Sequence, residues 1–161
     1  MSAGLRIGQG FDSHGFAAGR ELRLGGVLIP GERGLAGHSD GDVLLHAVCD
    51  ALLGALALGD IGEHFPPGDA RWRNADSREF VRHACGLVRQ RGWRLANLDA
   101  TLILDTPRLG PHREAIRQSL AALLDSPLDR ISLKAKTPEG LGLPDTAIAQ
   151  VVVLLEAAAA E

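Results

Sequence analysis

The chain of 161 residues carries a net charge of −3 with acids and bases interleaved, so it offers no basic face for nucleic acid, and 4% aromatics without tyrosine offer no base-stacking platform. Hydrophobic residues make up 45%, enough for the core of one domain, while every apolar stretch stops well short of the roughly 18 residues a spanning helix needs. No charged-then-apolar leader opens the chain, and Cys49 and Cys85 are too few for a disulfide framework, so a reducing cytoplasm is the expected compartment.

Residues 5–10 alternate and read as a strand ending at Gly10. Residues 21–29 read as a second strand with a bend at Gly25-Gly26, and Pro30 to Gly37 as a loop. A first helix is expected from a cap at Ser39, with Val43, Leu44, Ala47, Val48, Ala51, Leu52 and Ala55 at helical spacing and Gly59 as its stop. A second helix runs from Asp76 to Arg91, with Glu79 completing a capping pair and Gly92 ending it. Residues 97–104 alternate as a strand, and a third helix follows Pro111 with Ile116, Leu120 and Leu123 on one face. Residues 131–136 form the next strand, and Ala147 to Leu155, almost wholly apolar, the last. The order ββααβαββ points to an α+β fold, a mixed sheet with helices on one face. The run Val151-Val-Val-Leu-Leu155 asks for burial on both faces. In so short a chain, copies of itself are the natural cover, which predicts a closed homo-oligomer with sheets packed inward.

Asp12 and His14 stand at i and i+2 of an extended segment and point the same way. His46, one turn beyond Asp42, can add a third ligand from another element. Two histidines and a carboxylate with a fourth position open suit catalytic zinc. Taken singly, Asp-x-His is common by chance, and His46 fits a core histidine bonded to a neighbour as well. His64, His83 and His112 show no partner spacing and read as surface residues. Gly59-Asp-Ile-Gly62, continued by Phe65-Pro-Pro-Gly-Asp69, is a helix stop whose small residues would also let a polyol approach. Asp76-Ser77-Arg78 opens a helix, either a plain cap or an anion site. Two strand-end loops, Asp105 to Pro111 and Lys136 to Gly142, complete the candidates. The second brings a cation, a hydroxyl and a carboxylate within four residues, which suits a diphosphate shared with Mg²⁺ and is equally the composition of an ordinary Pro-Gly turn.

In order and spacing, the strings Arg6-Ile-Gly-Gln-Gly-Phe-Asp-Ser-His14, His38-Ser-Asp-Gly-Asp-Val-Leu-Leu-His46, Ala51-Leu-Leu-Gly-Ala55, Gly59-Asp-Ile-Gly62 and Ala75-Asp-Ser-Arg78 resemble the 2-C-methyl-D-erythritol 2,4-cyclodiphosphate synthase family. The resemblance implies one domain over residues 1–156 with a short Ala-rich tail at 157–161. It implies a homotrimer around a threefold axis, with active sites between subunits. It implies zinc on Asp12, His14 and His46, magnesium or manganese on Glu139, and transition-state contacts from His38 and Thr137. Ser39, Asp60, Ile61, Gly62, Phe65, Asp69, Ser77 and Arg78 fall on substrate-binding positions. Leu104, Asp105, Thr106, Pro107, Arg108, Leu109 and Gly110, with Ala135 and Lys136, fall on the cytidine diphosphate pocket. The implied reaction converts 4-diphosphocytidyl-2-C-methyl-D-erythritol 2-phosphate to the 2,4-cyclodiphosphate plus CMP, in non-mevalonate isoprenoid biosynthesis. The alternatives are a zinc-dependent phosphoesterase or a non-catalytic trimeric ligand-binding protein. The chain departs from the family pattern at Pro67, where many members carry Asp, in the Lys136–Leu141 loop, at Leu143, and in a shortened stretch from Leu143 to Ala147.

Overall fold

The computed structural model describes residues 4–141, 143 and 145–158. Residues 159–161 of the Ala-rich tail, and Gly142 and Pro144 in the loop before the last strand, lie outside the described residues. Strands β1 (Leu5–Ala18), β4 (Arg33–Leu35), β5 (Trp93–Ile103), β6 (Ile131–Lys136) and β7 (Thr146–Ala157) form one mixed sheet in the order β4-β1-β7-β5-β6. Only the β5–β6 pair is parallel; the other pairs are antiparallel. Strands β2 (Leu22–Leu24) and β3 (Val27–Ile29) make a separate hairpin. Helices α1 (Val43–Ala55), α3 (Ser77–Gln90) and α4 (Arg113–Leu123) pack on one side of the sheet, joined by the single-turn α2 (Ile61–His64).

The closest packing is between α1 and β1, and glycine makes it possible. A Cβ on Gly8 would stand 1.9 Å from the Ala51 carbonyl oxygen, and one on Gly10 1.9 Å from that of Ala47. The helix backbone therefore lies directly on the strand backbone. That contact sets His46, the neighbour of Ala47, over Asp12, two residues past Gly10 on the same strand face. α1 is buried nearly all round, from Val43 to Ala55, which is why its sequence is apolar on every side. α3 instead shows one apolar stripe, with Phe80, Val81, Ala84, Cys85 and Val88 buried.

Several boundaries move from those the sequence suggests. β1 runs eight residues past Gly10, because pairing with β7 and then β4 continues through the polar stretch where side-chain alternation gives no signal. Residues expected as loop contribute β4. β5 starts at Trp93 because a bulge between Leu95 and Asn97 switches which parity faces the helices, hiding the first turn of alternation. The cap of α1 is Asp42 and not Ser39: the Asp42 carboxylate accepts the Leu45 N–H at 3.0 Å, while the Ser39 hydroxyl is engaged elsewhere. The Asp42 carboxylate also accepts the N–H groups of Gly25 (2.9 Å) and Gly26 (2.7 Å). Those two glycines both have positive φ, 63° and 79°, in the two-residue turn of the β2–β3 hairpin. Burial pushes the Asp42 carboxyl upward, opposed by the Gly26, Leu45 and Gly25 amides.

Of the apolar run in β7, Val151, Val153 and Leu155 are buried under the helices. Val152 is on the other face, together with Leu5, Ile7 and Phe11 of β1, which are 63%, 72% and 56% exposed. One chain thus satisfies half of the two-sided burial that the sequence asks for. Among the described residues no helix is long and apolar enough to cross a membrane.

Candidate active site

Asp12 and His14 project from β1 on the helix side, and His46 descends from the first turn of α1 to meet them. The Asp12 Oδ2, His14 Nε2 and His46 Nδ1 atoms form a triangle with sides of 2.8, 3.1 and 3.2 Å. Bonds of about 2.0–2.1 Å in a tetrahedron would separate ligand atoms by roughly 3.3 Å, so this donor set fits one divalent metal. The other nitrogen of each ring is committed. His14 Nδ1–H donates to the Ala36 carbonyl at 2.5 Å, leaving Nε2 toward the cluster. His46 Nε2 faces the hydroxyls of Ser39 (3.0 Å) and Ser77 (2.9 Å), leaving Nδ1 toward the cluster. Burial opposes charge on Asp12, but hydrogen bonds from His14 and His46 outweigh it and hold the carboxyl down at about 2. Burial also opposes protonation of His14, and the Asp12 carboxylate overcomes this and raises its pKa. A carboxylate held ionised in a half-buried site is an incipient cation site.

The cluster forms the floor of a pocket of about 240 Å³ whose walls are His38, Ser39, Ile61, Gly62, Phe65, Pro67, Trp72 and Phe80. Phe65 packs on Phe80 and Trp72 with ring centroids 4.5 and 5.0 Å apart, so the wall they form beside the cluster is apolar. His38 Nε2–H donates to the Asp69 carbonyl at 3.0 Å. Its backbone is clamped on both sides: the Arg20 guanidinium donates to the Gly37 carbonyl (3.0 Å) and the Ser39 carbonyl (2.5 Å). Asp50, one turn beyond His46 on α1, accepts the Ile61 N–H at 2.7 Å and fixes the start of α2; burial pushes its carboxyl up.

Not every candidate reaches this pocket. The Asp60 carboxylate caps α2 through the Glu63 N–H, and that of Asp69 pairs with Arg71. Arg78 pairs with Asp76 and lies against Gly26. Ser77 is fully buried behind His46, so its hydroxyl faces the imidazole and has no surface for a substrate. His64 is half-buried, bonded through Nε2 to the Leu58 carbonyl (2.9 Å) and stacked near His83, so it is not a free surface residue. Arg20 and Asp50 were absent from the sequence reading; an acid at i+4 from His46 on an otherwise apolar helix was the available signal for Asp50.

The remaining candidates gather elsewhere. A pocket of about 340 Å³ is lined by Leu104, Asp105, Pro107, Arg108, Leu109 and Gly110, facing Ala135, Lys136 and Thr137. The Leu104 N–H donates to the Lys136 carbonyl at 3.1 Å, joining the two loops. The Thr137 hydroxyl donates to the Glu139 carboxylate. The sheet register puts Asp12, Ala149, Leu102 and Ala135 in one row across β1, β7, β5 and β6. Two to three strand spacings, about 10–14 Å, separate the two pockets at the same end of the sheet.

An open Asp-His-His cluster beneath a pocket is a potential metal site of the kind metal-dependent enzymes use, whereas a structural metal site would close the fourth position with protein. The chain belongs to the YgbB family, whose model matches residues 5–156. It is similar to the 2-C-methyl-D-erythritol 2,4-cyclodiphosphate synthase of Xanthomonas axonopodis pv. citri (strain 306), at 54% identity over 158 residues, 96% of this chain and 95% of that protein. A solved structure of a synthase of the same name, in its CDP-bound form, aligns with a TM-score of 0.88 at 51% identity, covering 93% of this chain and 99% of that one. The IspF of Plasmodium falciparum, solved as a CDP complex, aligns with a TM-score of 0.85 at 32% identity, covering 97% of this chain and 98% of that one.

Proposed function

We infer that this chain converts 4-diphosphocytidyl-2-C-methyl-D-erythritol 2-phosphate to 2-C-methyl-D-erythritol 2,4-cyclodiphosphate and CMP, a step of non-mevalonate isoprenoid biosynthesis. The observation that carries the reading is the Asp12-His14-His46 cluster, set in a chain more than half identical to named synthases over nearly its whole length. An oxygen of the 2-phosphate bonds to the β-phosphorus as the bond from that phosphorus to the bridging oxygen breaks, and CMP leaves with that oxygen. Nucleophile and electrophile share one molecule, so the work of the site is to fold the substrate and bring two anionic phosphates together. Zinc on Asp12, His14 and His46, with magnesium or manganese on Glu139, would supply the positive charge that offsets their repulsion.

The chain's own residues do the rest. Ile61, Gly62 and Phe65 give the methylerythritol unit an apolar wall beside the cluster. His38, its backbone held from both sides by Arg20, lines the same pocket, where its Nε2–H, exchanged from the Asp69 carbonyl, would meet charge developing on the transferring phosphate. Thr137 offers a hydroxyl for the same purpose from the end of β6, and Lys136 a cation for the diphosphate. The strand-end loop from Leu104 to Gly110, against Ala135 and Lys136, suits the cytidine with main-chain groups. The exposed apolar residues Leu5, Ile7, Phe11 and Val152 support a trimer with this sheet face inward. Active sites would then lie between subunits, the metal cluster of one chain meeting the nucleotide loops of its neighbour. The synthase names of the relatives favour cyclisation over hydrolysis or ligand binding without catalysis. Incubation with the cytidyl substrate, zinc and magnesium tests this: equimolar CMP and a product with the mass of the cyclic diphosphate are expected, and a product heavier by one water would replace cyclisation with hydrolysis.

A further inference from the structure

Behind the cluster, His46 is held by a chain of groups whose direction chemistry fixes. Ser77 Oγ lies 2.5 Å from Asp40 Oδ1, and the Ser77 N–H donates to Asp40 Oδ2 at 3.1 Å. The Asp40 carboxylate also accepts the Asp42 N–H at 3.1 Å. An ionised carboxylate only accepts, so the single Ser77 proton goes to Asp40. The lone pairs of Ser77 then face His46 Nε2, 2.9 Å away, which must carry a proton and donate it. Nδ1 points at Asp12 and His14 and would be the bare atom offered to a metal held there. Ser39 does not impose the same order. Its oxygen accepts the Gly41 N–H at 3.3 Å, and its own proton is free to turn toward His46 Nε2, 3.0 Å away. Ser39 alone would admit either tautomer; Asp40 acting through Ser77 admits one.

We propose that Asp40 and Ser77 are positioning residues for the metal centre: they lock His46 in the Nε2–H tautomer and, through the negative charge of Asp40, strengthen Nδ1 as a ligand. The proposal rests on the metal role of Asp12, His14 and His46, and it moves Ser77 from a substrate contact to a support for the metal. Its full burial agrees, since no substrate can touch it. Outer partners of ligating histidines characteristically change metal affinity by about tenfold to a hundredfold.

The test uses the full-length protein in its native assembly. Zinc affinity is measured by chelator competition for wild type, Ser77→Ala, Asp40→Asn and the double variant, and the His46 tautomer is read by ¹⁵N NMR in the metal-free state. Ser77→Ala is expected to weaken zinc about tenfold to a hundredfold. Asp40→Asn, which keeps the shape and removes the charge, should weaken zinc in the same direction. The double variant should be no weaker than Ser77→Ala, because Asp40 acts through that hydroxyl. Wild type should show His46 protonated at Nε2, and Ser77→Ala should shift the proton toward Nδ1, which faces the Asp12 carboxylate at 3.1 Å. Unchanged zinc affinity in both single variants, or additive losses in the double variant, would overturn the proposal. If Ser77→Ala does not fold, Asp40→Asn decides on affinity. If wild type itself takes up no zinc, the metal reading fails, and the tautomer spectra still decide whether Asp40 and Ser77 orient the ring.

Discussion

Replacing Gly10 with alanine probes the contact that assembles the site. The new Cβ would stand 1.9 Å from the Ala47 carbonyl oxygen, against the 3.4 Å at which ordinary contact begins. The obstacle is helix backbone, so no side chain can swing aside, and α1 must retreat by about 1.5 Å or β1 must bend. Overpacking of this kind costs about 1–3 kcal/mol or more. The retreat also carries His46 from its 3.1 Å approach to Asp12 toward roughly 4.5 Å, too far for a shared ion. Chelator competition should show zinc affinity falling at least tenfold, and thermal melts of the metal-free protein should show the stability loss. Gly54→Ala is the control on the same helix: its Cβ would meet only the Gln9 carbonyl at 3.7 Å. That change should stabilise the helix by about 0.5–1 kcal/mol and leave zinc affinity alone. A Gly10→Ala protein with wild-type stability and zinc affinity would refute the view that glycine-mediated contact places His46.

Glu139→Gln should spare zinc on Asp12, His14 and His46 while lowering turnover at limiting magnesium; an unchanged magnesium dependence would remove Glu139 from the second site. Ile7→Asp puts a charge on the exposed apolar face, where Ile7 is 72% exposed in one chain. Sedimentation should show the wild type as a trimer and the variant as smaller species, and an unaltered trimer would show that this face is not the interface. Burial pushes the Cys85 thiol from 9.0 to about 11, so its thiolate fraction near pH 8 is about a hundredfold below that of the unfolded chain. Alkylation in the native state should lag accordingly and quicken as pH rises toward 11; equal rates in native and denatured protein would contradict it.

Much of this was legible in the sequence, for reasons that differ by element. The cap at Asp76 and the stripe of α3 are local, set by residues within one or two turns, and they appear where expected. The cluster itself was half legible. Strand geometry pairs Asp12 with His14, but nothing local brings His46 to them; the long-range contact of Gly8 and Gly10 with α1 does so. The length of β1 was hidden because its second half carries ligands and glycine where a strand pattern wants alternation, while pairing with β7 needs only backbone. The early start of β5 was hidden by the bulge before Asn97. Asp40 and Asp42 stand just before α1, where nothing nearby in sequence reveals what they bind. Their real partners, the Ser77 hydroxyl and the Gly25-Gly26 turn, are 37 and 16–17 residues away, beyond the reach of any spacing rule.

The sheet explains why the chemistry collects where it does. β5 and β6 are parallel, and β1 runs in the same sense, because each of β1 and β5 is antiparallel to β7. The carboxyl ends of β1, β5 and β6 therefore share one edge, the place where open sheets with parallel strands bind ligands. Asp12 and His14 lie near the end of the β1–β7 pairing, the Leu104–Gly110 loop follows β5, and Thr137 and Glu139 follow β6. β7, running the other way, contributes none of these residues and keeps the cluster about 10–14 Å from the loops after β5 and β6 within one chain. A substrate with its phosphates at the cluster and its base in the loops must cross β7 or be shared with a neighbour. The proposed trimer, with the exposed Leu5, Ile7 and Phe11 turned inward, is the arrangement that would share it. That face is costly for a lone chain to leave in water, and in the proposed trimer the cluster of one chain would approach the loops of the next. The same apolar residues that hold the assembly together would then complete the active site.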